Sequence, residues 1–98
     1  MQGFRGQEKN VDSGVSVHDF AETLVTNTLE NPVYTNDRTH TEECVSFLQA
    51  GTDLTLRDAE AVRDEITTQV KSRGGLELFT AATTENLENE SRLTLLRV

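Results

Sequence analysis

The sequence predicts an α+β fold: a small three-helix body followed by a C-terminal β-hairpin, with an extended N-terminal arm. Three observations predict it. Apolar residues recur at three- and four-residue steps in three segments, each closed by a stop signal. The period drops to two residues after Gly74-Gly75, and the opening stretch has no period. At 98 residues the chain fits one domain, because single cores stop growing only at about 250–300 residues. The expected organisation is an arm at 1–14 and a compact domain at 15–98. Helices are expected near 16–30, 39–50 and 55–73, and strands near 76–81 and 92–98.

The arm, MQGFRGQEKNVDSG, carries three glycines and isolated apolar side chains at Phe4 and Val11. Such a stretch is flexible alone and orders only where its side chains find a pocket. The first helix follows from Ser16 and Asp19, spaced as a capping box, with Val15 and Phe20 at staple spacing. Val17, Phe20, Ala21, Leu24, Val25 and Leu29 form its apolar stripe, and Asn31-Pro32 ends it. The next residues, NPVYTNDR, read as a loop with Val33 and Tyr34 as packing points.

The second helix is expected to begin at Thr39, with Glu42 at the third position, and to stop at Gly51. Cys44, Val45, Phe47 and Leu48 would be its buried side. The third helix is capped by Thr55 with Asp58, and its stripe is Leu56, Ala59, Val62, Ile66 and Val70. Beyond the glycine pair, Leu76, Leu78 and Thr80 alternate with Glu77 and Phe79, and SRLTLLRV alternates likewise. These become two antiparallel strands joined by a polar loop with a helical turn near Leu87. A helix over 84–96, capped by Thr84, is the competing assignment. A lone hairpin is marginal in water, so strands from another chain are expected to cover it.

Seventeen acidic and nine basic side chains leave a net charge of −8, which disfavours a nucleic-acid backbone and an anionic membrane as partners. The acids concentrate in residues 42–65, where seven stand against two arginines. Seven Arg to two Lys, with few aromatics, give a halophilic-like composition. The single Cys excludes an internal disulfide and a Cys-only zinc site. No apolar run reaches the roughly 20 residues of a membrane span, and no signal segment opens the chain. The expected location is therefore the cytoplasm or a virion.

Catalytic constellations are sparse in this sequence. His40 and Cys44, four apart at an expected helix start, could make a thiolate–imidazole pair, but Cys44 lies on an apolar stripe and reads as core. The same pair lacks the further ligands of a zinc site. Glu85, Asn86, Glu88, Asn89 and Glu90 offer oxygen donors without the glycine of a calcium loop. No glycine-rich phosphate cradle precedes a helix. The expectation is no enzyme, no cofactor and no metal.

A helical body with an arm at one end and strands at the other is similar in plan to the head-to-tail adaptor subunits of tailed viruses. That analogy implies a non-enzymatic structural assembly subunit, a viral connector-type protein. Its partners would be protein chains, in a homo-oligomer or multi-subunit complex. The expected contacts are Phe4, Arg5 and Val11 in the arm, and Leu93, Leu95 and Val98 in the last strand. The alternative is an acidic regulatory inhibitor of a nucleic-acid-processing protein. It would fill a basic groove with Glu42, Glu43, Asp58, Glu60, Asp64 and Glu65.

Overall fold

The computed structural model describes residues 2–10, 16–35, 44–51, 53–70, 76–84, 87 and 89–97. Two helices pack on one face of a five-stranded mixed sheet. In chain order the elements are β1 (Gln2–Lys9), α1 (Val17–Leu29), β2 (Pro32–Thr35), β3 (Cys44–Ala50), α2 (Leu56–Gln69), β4 (Leu76–Thr83) and β5 (Glu90–Arg97). The strand order is β2-β1-β5-β3-β4. Strands β3 and β4 run parallel with α2 between them in sequence, and every other pairing is antiparallel.

This architecture corrects the expected three-helix body with a hairpin. The segment expected as the second helix is β3. Its burial alternates: Cys44, Ser46, Leu48 and Ala50 point into the core, while Val45, Phe47 and Gln49 point out. A short apolar run fits either a helix or a strand, and here the sheet decides. The cap expected at Thr39 lies outside the described residues. Strands β4 and β5 do not pair with each other; β5 lies between β1 and β3, and β4 lies outside β3. The uncovered hairpin edge is thus met within the chain.

The expected arm is likewise corrected. Residues 2–9 pair with β5 along their whole length, from Gln2 opposite Arg97 to Lys9 opposite Glu90, and also with β2. Phe4 is the apolar anchor of this strand, 8% exposed, while Gly3 and Gly6 hide the alternation a strand would otherwise show. The stretch expected as a loop contains β2, a short edge strand opened by Pro32, where a missing N–H costs no ladder bond. Val33, expected as a packing point, is exposed.

The helices follow from local chemistry. Ser16 Oγ accepts from the Asp19 N–H at 3.0 Å and starts α1. Thr55 and Asp58 form a reciprocal box at α2: the Asp58 N–H donates to Thr55 Oγ1 at 3.2 Å, and the Thr55 N–H donates to Asp58 Oδ2 at 3.0 Å. The helix ends at Gln69, with Val70 in an extended conformation. Phe20, Leu24 and Val25 of α1 and Val62 and Ile66 of α2 meet Phe4, Leu48, Leu93 and Leu95 of the sheet in one aliphatic core. Gln69 Nε2 donates to Thr26 Oγ1 at 3.2 Å, joining the two helices.

Candidate functional site

Both helices lie on one side of the sheet, so the other side carries no described helix or strand. Register defines this outer face in rows. Gly3, Leu96 and Val45 form one row, Arg5, Thr94, Phe47 and Thr80 the next, and Gln7, Arg92, Gln49 and Ala82 a third. Lys9 and Glu90 close the face at one end. Alternation along each strand produces it: every second residue goes to the core, and the remainder turns to the other side, exposed at Arg5, Gln7 and Phe47 and half-buried at Val45, Gln49, Arg92, Thr94 and Leu96. The result is an apolar strip, Leu96–Val45–Phe47, flanked by Arg5 and Arg92. Phe47 is 37% exposed. Arg92 presents Nε and Nη2 to the Gln7 side-chain oxygen at 3.1 and 3.3 Å. Neither arginine has a carboxylate partner among the described residues.

The helical layer has the opposite character. Outside the core, α1 carries Asp19 and Glu22, and α2 carries Glu60, Asp64 and Glu65 together with the exposed Arg57 and Arg63. A groove of about 410 Å³ runs between the start of α1 and α2, lined by His18, Arg57, Glu60, Asp64 and Glu65 among others. Several of its charges are engaged: His18 Nε2 lies 3.5 Å from Glu22, Arg63 lies 3.7 Å from Asp64, and Glu65 accepts from Gln69 at 2.8 Å.

A third cluster sits at the end of the sheet where β3 leads into α2. Asn10 Nδ2 donates to Asp53 Oδ1 at 2.7 Å, and the buried Ser91 hydroxyl donates to Asn10 Oδ1. The Asn10 N–H donates to the Asn89 carbonyl at 2.8 Å, and Asn89 takes a left-handed φ of 57°. Gly51 is required beside it. A Cβ there would meet the Leu87 carbonyl oxygen and would lie 2.9 Å from Asp53 Oδ1. The cluster ties three chain segments together.

The sequence-predicted contact residues do not converge. Phe4, Leu93 and Leu95 are core, at 8%, 0% and 0% exposed. Arg5 is exposed on the open face, and Val11 and Val98 lie outside the described residues. Of the acidic set, Asp58 is buried and spent on capping, while Glu60, Asp64 and Glu65 share one helix; Glu42 and Glu43 lie outside the described residues. Cys44 is buried, 1% exposed, and His40 lies outside the described residues. Among the described residues no group of three His, Cys, Asp or Glu could hold a metal ion. No described helix is long and apolar enough to cross a membrane. Sequence reasoning missed the open sheet face: alternation marks its β4 and β5 residues, whereas its β1 and β3 residues fall in the segments expected as an arm and a helix.

No protein-family model matches the chain, and no curated protein matches it in sequence. Solved structures do match in fold. A point mutant of FtsZ from M. jannaschii superposes with a TM-score of 0.71 at 21% identity, over 98% of this chain and 26% of that one. An empty FtsZ dimer from the same organism gives 0.64 at 23% identity, over 95% of this chain and 25% of that one. The chain therefore spans about a quarter of the length of the FtsZ chains it matches. Identities this low show the fold, and that fold is FtsZ-like. It overturns the viral connector reading, which rested on a three-helix body that the protein does not have.

Proposed function

We propose that this chain works as an FtsZ-type domain in the assembly of a cell-division GTPase, in the cytoplasm, with the nucleotide chemistry carried outside these 98 residues. The observation that carries the reading is the superposition of nearly the whole chain on one quarter of FtsZ, a cell-division GTPase. The sequence supports the division of labour, since no glycine-rich loop opens a helix as a phosphate cradle does. One of the matched structures is an FtsZ dimer, which supports a role in assembly.

The test is a titration of the whole chain into polymerising FtsZ from its own organism, followed by light scattering and by phosphate release from GTP. The expected result is a dose-dependent change in both the extent of polymer and the turnover, with no phosphate release by the chain alone. Unchanged polymer and turnover at tenfold excess of the chain would reject the proposal.

A further inference from the structure

The two edges of the sheet are unlike. β2 closes one edge with four residues and opens on Pro32, the short, proline-marked form that resists pairing with another chain. β4 closes the other with eight residues, LELFTAAT, that hold neither proline nor lysine. Among the described residues β4 pairs with β3 alone. The Thr84 N–H donates to the Ala50 carbonyl at 2.8 Å, which sets the phase of this ladder. Thr80 and Ala82 turn their backbone groups to β3, so Phe79, Ala81 and Thr83 turn theirs outward, where no described strand lies.

The helical layer stops short of this edge, for Thr80, Ala81, Ala82 and Thr83 are exposed on both sides of the strand. Arg57, Ala61, Glu65 and Thr68 line the groove toward α1. Leu56, Arg63 and Thr67, all exposed, occupy the opposite flank of α2 and look out over β4. Leu56 is 76% exposed, a large apolar side chain without a cover. α2 begins just past Ala50, which lies opposite Thr83, so Leu56 stands at the Thr83 end of the strip. Phe79, half-buried against the core, marks the other end.

We propose that β4 pairs antiparallel with β4 of a second copy about a two-fold axis through Ala81, joining two sheets into one. The outward phase allows it. Ala81 then opposes Ala81 of the second copy, and Phe79 opposes its Thr83, each pair exchanging N–H···O bonds in both directions. Small side chains at the axis let the strands close to the usual spacing of about 4.8 Å. Both helical layers fall on the same side, and the two α2 helices run past one another in opposite directions. Leu56 of each copy then closes over Phe79 of the other. The two ends of the strip are complementary under a half-turn, and this selects a second copy as the occupant. The contact is isologous and closed, so it uses both free edges and admits no third copy.

Charge opposes this contact. Each copy carries −8. Arg63 lies two turns along α2 from Leu56, about 10 Å, so it faces Arg63 of the other copy near the axis. Backbone bonds and apolar cover are nearly indifferent to salt. Like-charge repulsion is screened within about 3 Å at 1 M salt, against about 10 Å at 0.1 M. The dimer therefore tightens as salt is raised.

Sedimentation equilibrium on the full chain, without nucleotide or any FtsZ, tests this separately from the function proposed above. The mass should pass from monomer to dimer and stop there, with association at least threefold tighter at 1 M than at 0.1 M potassium chloride. Amide exchange should slow at Phe79, Ala81 and Thr83 as concentration rises, while Thr80 and Ala82 stay protected throughout. Ala81→Pro removes one outward N–H and no bond to β3, a place where an edge strand tolerates proline. It should fold by circular dichroism and associate at least tenfold more weakly. Should it fail to fold, Ala81→Lys takes its place, with the same loss expected. Leu56→Ser should weaken the dimer, Arg63→Gln should strengthen it at 0.1 M salt, and Phe47→Ser on the open face should leave it unchanged. A chain still monomeric at 0.5 mM in 1 M salt, growth past the dimer, or a dimer whose outward amides exchange freely would each overturn the proposal.

Discussion

Gly6 of β1 lies directly beneath Thr28 of α1, so close that a Cβ on Gly6 would sit 2.6 Å from the Thr28 N and 2.7 Å from its Cα. The near neighbours are helix backbone, which cannot swing aside as a side-chain end can. Thr28 is itself fully buried and returns its hydroxyl to the Leu24 carbonyl at 2.7 Å. This contact sets how near the first helix approaches the sheet.

Gly6→Ala should therefore destabilise the fold by about 3 kcal/mol or more, at the upper end of overpacking costs, because the helix must lift as a unit. Chemical denaturation of the parent and the variant measures it. A loss below 0.5 kcal/mol, about the cost of a neutral surface change, would mean that α1 slides freely over β1.

The α2 box offers a second measurement. Thr55→Ala removes the acceptor for the Asp58 N–H and should cost about 1 kcal/mol. For a chain of this size the melting temperature should drop by roughly 4–8 °C. Asp58→Asn keeps an oxygen acceptor for the Thr55 N–H and should cost less than Asp58→Ala.

Asn10 joins Asp53 and the buried Ser91 across three segments. Asn10→Ala leaves the buried Ser91 hydroxyl without its acceptor, a loss of about 1 kcal/mol. Ser91→Ala in the same background should restore part of that loss, which a double-mutant cycle reads directly.

Cys44 is packed between the sheet and the helices at 1% exposure. Its thiol should react with a disulfide reagent only as fast as the protein opens, and stoichiometrically within seconds in denaturant. Immediate reaction in the native state would place the thiol at the surface.

The sequence by itself determined what is encoded within a few residues. Ser16 with Asp19, and Thr55 with Asp58, are bonds between positions three apart, so cap and helix stripe can be read without knowing any neighbour. The two-residue alternation at the end of the chain is local in the same sense and marks a strand. Only the tertiary structure decided which strand pairs with which. Leu93 sits between Gly6 and Leu48, residues 87 and 45 positions away in the chain, and nothing in their own spacing announces this. The same distance hid β1, whose glycines suit a strand pressed against a helix and otherwise look like a flexible lead. It also hid β3, whose short apolar run took its period from the strands on either side. Placing both helices on one face then left the other open, and so decided where Arg5, Phe47 and Arg92 meet. Ladder bonds and sheet packing act between segments far apart in sequence, whereas caps and stripes act within one turn.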